Sequence, residues 1–428
     1  MYRMPIGIAL LCLVARSALA QGVVMPLSLR EAERRATENH PQVRAAEYWA
    51  QAAEEAVRQA RSVYFPSVSL SLTGAQAEAG SRIAAGGLNN PVILDRFAAG
   101  FSVGQLLTDF GRTRALVQSV DLRADTQRET VMSRRADVLL QVDRAYFQTL
   151  RAQAVERVAE ATVKARELVV DQVTALASSG LKSGLDLSFA KVNLLEAQIL
   201  LLQARNDVQA AFTTLSAAMG SSGSTPYELT DEPLPPAPSP DAAELIAQAM
   251  RERPDVSAER FAEQAALKFA DAERALWLPS ISLVGAMGAS PYRQVGLTPR
   301  YSAVGVNVSV PVSNGGLLNA RRAEANLRAT AEQQRLRDLE NLVARDVRTA
   351  WLDAQAFFRR LDLAEQLRAN AADAADLAQA RYDIGLGSIV ELSQAQLNLT
   401  RADIERATSR YDYQIRTAVL RFQTGELK

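Results

Sequence analysis

Two stretches of this chain, residues 112–178 and 317–383, each run for 67 residues without a proline or a glycine. Both are rich in Ala, Arg, Glu, Gln and Leu, which lose little on entering a helix. An uninterrupted helix of that length is roughly 100 Å long at 1.5 Å per residue. Shorter helices expected at 41–64 and 185–219 would measure roughly 36 and 53 Å by the same rise. End to end they nearly match the long one. The pattern predicts a wall of long rods, each paired with a split rod, with abundant alanine letting the helices approach closely.

The chain is also a duplication. Pro41-Gln42-Val43 recurs as Pro254-Asp255-Val256, and Pro66-Ser67-Val68-Ser69-Leu70 as Pro279-Ser280-Ile281-Ser282-Leu283, both at an offset of 213 residues. Downstream the offset is 205: Gly111 pairs with Gly316, Ala145 with Ala350, Gly180 with Gly385, Ser183 with Ser388 and Gly220 with Gly425. A first repeat over 21–222 carries a β-hairpin at about 67–110, a long helix at 112–178 and a helix at 185–219. The second, 241–428, carries a hairpin at about 280–314, a long helix at 317–383 and a helix at 388–424. Between them, 223–240 is crowded with prolines and reads as a linker or an irregular girdle.

Residues 1–20 read as a secretory signal peptide. Arg3 gives the positive start, Ile6 to Val14 the apolar core, and Ala18-Leu19-Ala20 the small-residue cleavage site. The lone cysteine, Cys12, would leave with it, so no disulfide framework or thiolate metal site is expected. Removing Arg3 and Arg16 leaves 46 basic against 48 acidic residues. That balance gives no electrostatic case for nucleic acid. Beyond residue 20 no apolar run approaches the ~18 residues that a membrane-spanning helix needs. Entry into a membrane would have to be by strands closed into a barrel.

The segments between helices alternate with period two. Val68, Leu70 and Leu72 oppose Ser67, Ser69, Ser71 and Thr73. Phe97, Ala99, Phe101 and Val103 oppose Ala98, Gly100, Ser102 and Gly104. Ile281 and Leu283 oppose Ser280 and Ser282, and Val304, Val306, Val308 and Val310 oppose Gly305, Asn307 and Ser309. Apolar on one side and small or polar on the other suits strands between lipid and a wet lumen. A small soluble β-domain with a half-buried sheet would alternate in the same way. Tyr64, Phe65 and Trp277 stand at strand entrances, where interfacial aromatics belong. The smallest membrane barrels use about eight strands. Four cannot close, so several copies would have to share one barrel.

These features together resemble the outer-membrane efflux protein family, the TolC-like channels, over about residues 27–425. The resemblance is carried by Ala32 through Pro41-Gln42-Val43, Tyr64-Phe65-Pro66-Ser67, Leu107-Thr108-Asp109-Phe110-Gly111-Arg112, Asn314-Gly315-Gly316 and Ala380-Arg381-Tyr382-Asp383-Ile384-Gly385. It implies a mixed α and β membrane protein in which each chain gives four transmembrane strands to a shared, trimeric, twelve-stranded barrel. Long antiparallel coiled-coil helices would form a periplasmic tunnel below it. It also implies a homotrimer in outer-membrane lipid, with a periplasmic adaptor and an inner-membrane transporter as partners. For sites it implies a constriction at Glu391, with Gln394 where the best-known members have a second acid. Tyr382 and Asp186 would form an interhelical link that holds the pore shut, while Gly387 replaces a basic link residue. The turns at Gly180-Leu181 and Gly385-Leu386 would meet the adaptor.

An enzyme is excluded by what is missing: the one histidine, His40, falls at a helix junction and its repeat partner is Arg253, and no nucleophile set, metal cluster or phosphate loop accompanies it. No cofactor is expected. Three roles remain open from sequence: the exit duct of an efflux pump, the exit duct of a type I protein secretion system, and a structural envelope protein.

Overall fold

The computed structural model describes residues 25–76, 78, 96–222, 227–293 and 298–427. The expected leader, part of the linker and the loops that would join each pair of strands lie outside them. The first repeat opens with β1 (Met25–Leu27), α1 (Leu29–Asn39) and α2 (Pro41–Arg61), which tightens into a 3₁₀ turn at Ser62–Tyr64. Then come β2 (Ser67–Ala75), β3 (Arg96–Thr108), α3 (Arg112–Ser178) and α4 (Gly184–Ala218). After β4 (Tyr227–Leu229) the second repeat follows the same order. It has α5 (Ala242–Glu252), α6 (Pro254–Arg274) with a 3₁₀ turn at Ala275–Trp277, β5 (Ser280–Tyr292), β6 (Arg300–Ser309), α7 (Leu317–Asp383) and α8 (Ile389–Thr424).

The two rods α3 and α7 coincide with the proline- and glycine-free runs. α3 packs along α2 and α6 near the sheet and along α4 and α8 beyond it, and α7 packs on α6 and then α8. The seams are made of small residues seven apart. Val43, Ala50 and Val57 are buried on α2, and Ala190, Ala197 and Ala204 on α4. A seven-residue period is slightly short of two full helical turns, so the paired helices must coil about each other to keep the seam closed.

At both repeats a short helix meets the next at a proline in its first turn, a position where the missing N–H costs nothing. His40 caps α2, its Nδ1 accepting the Gln42 N–H at 3.2 Å, and Arg253 stands at the equivalent junction, bonded to Asp255. Gly220 and Gly425, with φ of 76° and 81°, end α4 and α8 against these junctions, where an added Cβ would sit 3.0 Å from the backbone of His40 or Arg253.

The proline-rich segment is a strap. β1 and β4 pair in parallel, and the buried Tyr146 of α3 reaches the carbonyls of Leu27 (2.8 Å) and Thr230 (2.6 Å). Prolines offer carbonyls and no N–H, so side chains from the rods must do the donating. Arg410 and Gln414 bond the Glu232 carbonyl at 2.6 and 3.0 Å, and Trp351 bonds that of Ser239 at 2.7 Å. The strap covers the main apolar cluster, built on Leu27, Val43, Val138, Val142, Tyr146 and Leu215.

β2, β3, β5 and β6 form one antiparallel sheet in that order, so the two repeats join at its centre through β3 and β5. Val310 falls one residue past β6 and is not a strand residue. The physical reason is pairing: Ser309 already faces Ser280, the first residue of β5, and prolines at 279 and 311 lie on either side.

Beside the strap, Asp143 of α3 is fully buried, with no donor group on either carboxylate oxygen among the described residues and the Glu33 carboxyl within hydrogen-bonding reach. Burial, and then the nearby Glu33, push its carboxyl up to about 8, with Arg421 opposing. An aspartate titrates near 4 when unfolded, so between about pH 4 and 8 folding takes up a proton and stability falls as pH rises. Asp143→Asn should flatten that slope, which one proton limits to about 1.4 kcal/mol per pH unit. Thermal midpoints by circular dichroism at pH 5 to 9 check this: an equal fall in variant and parent would rule Asp143 out.

Candidate functional site: the sheet faces and the hairpin tips

The sheet register decides which side chains share a face. Directly opposite residues in antiparallel strands point the same way. Leu70, Phe101 and Met287 form one cross-strand row, and Val68, Val103, Gly285 and Val304 another. Val306 faces Leu283 and Val308 faces Ile281. The apolar sets of all four strands therefore fall on one face, and within the chain that face stays exposed, Val304 at 78%. The opposite face carries Ser69, Ser102, Ala286 and Ala303 in one row, with the Ser69 and Ser102 hydroxyls 2.6 Å apart. Here Tyr301 lies over Gly100 and Gly288: a Cβ on either glycine would run into its ring or hydroxyl. Sequence reading missed this slot, although glycines in mid-strand mark close approaches. Tyr64, Phe65 and Trp277 are exposed just before β2 and β5.

At the far end of the rods, α3 and α7 stop in the same way. Gly180 and Gly385 take φ of 76° and 80°, and the N–H groups of Leu181 and Leu386 bond back to the carbonyls of Leu176 (2.9 Å) and Arg381 (2.8 Å). This is the left-handed glycine stop that satisfies the last carbonyls of a helix. It leaves Leu181 and Leu386 bare at the two tips.

The next helices begin with serine caps. Ser183 accepts the Asp186 N–H at 3.2 Å, and Asp186 accepts from the Ser183 N–H (3.0 Å) and hydroxyl (2.8 Å), a reciprocal box that settles two unpaired N–H groups. In the second repeat Ser388 accepts the Glu391 N–H at 3.1 Å, while the Glu391 carboxylate turns to Arg381 at 3.2 Å. Glu391 is thus an exposed, paired acid. Gln394, one turn on, is exposed and bonds Asn398 at 3.1 Å.

The expected bond between Tyr382 and Asp186 is not made within the chain. Asp186 turns its Oδ2 to the Ser183 box, and neither of its oxygens meets the Tyr382 hydroxyl. Tyr382 instead sits 3% exposed in an apolar cluster with Val173, Ala190, Ala378, Ile389 and Leu392, its hydroxyl without a partner among the described residues. Burial raises its pKa, and the charges of Asp186 and Asp383 add to that. What joins the two tips is Lys182, a residue that the sequence reading passed over. Its Nζ donates to the Tyr382 carbonyl at 3.0 Å and lies 3.7 Å from the centre of the ring. A second tie, Asn193 of α4 to Ser393 of α8 at 2.7 Å, joins the helices that follow the two tips. Gly387 lies in a close-packed turn: a Cβ there would meet Arg381 and the Tyr382 backbone at 3.1 Å, so a neighbour would have to give by a few tenths of an ångström.

A sheet with one bare apolar face, carried on paired rods that end in exposed leucine tips, defines the long-helix class of outer-membrane proteins. The chain belongs to the outer membrane efflux protein family, whose model matches residues 32–221 and 245–426. It is 23% identical to the outer membrane protein TolC of Escherichia coli (strain K12) over 419 residues, covering 94% of this chain and 82% of that one. It is 23% identical to the probable efflux pump outer membrane protein TtgC of Pseudomonas putida over 350 residues, 80% of this chain and 71% of that one. The fold matches the crystal structure of a membrane protein from Pseudomonas aeruginosa with a TM-score of 0.81 at 22% identity, over 93% of each chain. The protein is therefore an outer-membrane efflux protein of TolC type.

The tip geometry gives a discriminating pair of variants. Lys182→Met removes a buried-side cation–π contact and a charge-assisted bond, together on the order of 1–2 kcal/mol. Tyr382→Phe removes a hydroxyl that bonds nothing. With spin labels at positions 181 and 386, Lys182→Met should broaden the distance distribution between the tips and Tyr382→Phe should leave it unchanged. Broadening by Tyr382→Phe alone would restore the hydroxyl as the link.

Proposed function

We propose that the chain is one third of the exit duct of a tripartite efflux pump, a homotrimer that passes small molecules from an inner-membrane transporter and a periplasmic adaptor to the outside. The observation that carries this reading is the sheet: among the described residues it has four strands, one largely apolar face uncovered, and both edges open. In hydrocarbon an open edge leaves backbone groups unsatisfied, at several kcal/mol each. Copies that continue the sheet into one twelve-stranded barrel remove both edges and turn the apolar face to lipid. A stripe on α4 supports the same assembly. Leu185, Val192 and Ile199, with Leu195 and Leu202, recur seven apart and are exposed on a face that α3 does not cover, as expected of a helix with a neighbour still to come.

In this reading the rods line a periplasmic tunnel that narrows at the tips. Glu391, Asp186, Gln394 and Tyr382 belong to that constriction. The resting state is held by Lys182 on Tyr382 and by apolar packing, with the Glu391 charge partly compensated by Arg381. The bare turns at Gly180-Leu181 and Gly385-Leu386 receive the adaptor. The efflux role, over protein secretion, is supported by family membership and by the pump component among the relatives.

Native mass measurement in detergent should give three copies, and a stable inserted monomer would refute the shared barrel. Arg at Val306 or Val308 should cost roughly 2–4 kcal/mol near the bilayer midplane and abolish assembly in membranes. Arg at Asn307, on the other face, should assemble and change the conductance in planar bilayers. Equal assembly defects at all three positions would contradict the assignment of faces.

A further inference from the structure

Between the strap and the tips, α3 parts from the α7–α8 hairpin and leaves an open cleft of ≈ 940 Å³, the size of a small-molecule site. Short apolar side chains line much of it, among them Ala161, Ala165, Leu361 and Leu399. Three of its four acids are already paired with arginines: Glu365 with Arg406 at 2.6 Å, Asp231 with Arg410 at 3.0 Å and Asp403 with Arg368 at 3.1 Å. The fourth, Asp376, is exposed to water. Of the remaining arginines on the lining, Arg157 reaches the Tyr411 hydroxyl.

Arg166 is different. It lines the cleft, is more than nine-tenths buried, and makes no hydrogen bond or ion pair among the described residues. It senses Glu196 only through space, while burial works against its charge. Its place in the helix makes this pointed. Arg166 stands seven residues from Ala159 on one side and from Val173 on the other, both buried in the seam of α3. The guanidinium therefore occupies a seam position, where an apolar residue packs best. The duplication supplies the comparison: at the offset of 205 the twin of Arg166 is Ala371, between the buried Ala364 and Ala378. The wall is built without a charge at this level of the second repeat, so packing alone gives no reason for one in the first.

We propose that the cleft binds a small amphiphilic organic anion, with its carboxylate or sulfonate head on Arg166 and its apolar body along the Ala161, Ala165 and Leu399 wall. Guanidinium presents a planar fork of N–H donors that matches such a head, and a bound anion supplies the partner that the protein withholds. The inference stands on the cleft alone and is independent of the duct reading, because its test involves no transport.

The test is calorimetric titration of the purified protein in detergent with naphthalene-2-carboxylate, and with naphthalene-2-methanol as the neutral analogue that partitions into micelles without a head group. The carboxylate should bind saturably at one site per chain, and the alcohol should show no saturable heat. Arg166→Ala, which copies the twin position and so should fold (checked by circular dichroism), should weaken binding at least tenfold. Arg166→Lys should fall between, and Ala165→Trp should block the cleft with Arg166 in place. Equal affinity in Arg166→Ala and parent, equal binding of the neutral analogue, or only non-saturable uptake of the carboxylate would each overturn the proposal.

Discussion

Everything here depends on helices that can lie close together for their whole length. A rod of 67 residues has no end-to-end core to fold around. It is held by partners laid along it, and the closeness comes from small residues in the seam. Ala190, Ala197 and Ala204 on α4 and Ala159 and Val173 on α3 are the pattern in one stretch. Each contact buries little, so stability is spread thinly over the wall rather than gathered at one place. The larger side chains are left for other faces, which explains why Leu185, Val192, Leu195, Ile199 and Leu202 of α4 are bare while Ala190, Ala197 and Ala204 are buried. A single methyl matters less in such a wall than a charge put where a methyl belongs, and Arg166 is such a charge.

The duplication acts as an internal control. Features that appear at both positions belong to the fold: the left-handed glycines that stop α3 and α7, the serine caps that start α4 and α8, the proline junctions before α2 and α6. Features that appear once point to something else. His40 and Arg253 differ in type yet both sit at a junction between two helices, and the histidine serves there as a cap. Lys182 and Gly387 are twins, as are Asp186 and Glu391. The positive charge that the tip lacks at 387 is present at 182, in the other repeat, and it reaches across to the same tyrosine.

How much of this could be read in the sequence follows from how local each signal is. The rods were legible because the absence of proline and glycine over so long a run admits little else. The faces of the sheet were legible because alternation is a local property, and register preserves it across all four strands. Val310 was misread for the same reason: Val308, Val310 and Val312 go on alternating after the partner strand has run out, and periodicity does not sense a missing neighbour. β1 and β4, three residues each, carry no period at all. Tyr382 was read as the partner of Asp186 because resemblance sets the two at matching places. The spacing Ser183-x-x-Asp186 draws one oxygen of that carboxylate to its own helix end, and a capping box is visible in sequence. Lys182 had no such mark, since its role exists only once two hairpins 200 residues apart are brought together.

The order of the strands constrains how copies can meet. With four strands in alternating directions, the outer edges β2 and β6 run opposite ways. A second copy can then set its β2 beside the first copy's β6 and continue the antiparallel alternation without a parallel pair. That contact joins two different surfaces, so it repeats head to tail, and such a contact makes a closed ring only if the rotation between copies closes. The sheet's own twist and coiling would supply that rotation. The same rotation would carry the helices below, because each rod continues from its strand through a short turn, at Asp109-Phe110-Gly111 and at Asn314-Gly315-Gly316. The two unmet demands of a single chain, open backbone at the sheet edges and bare leucines on α4, would thus be answered by one operation, because the turns fix the rods to the strands that the operation moves.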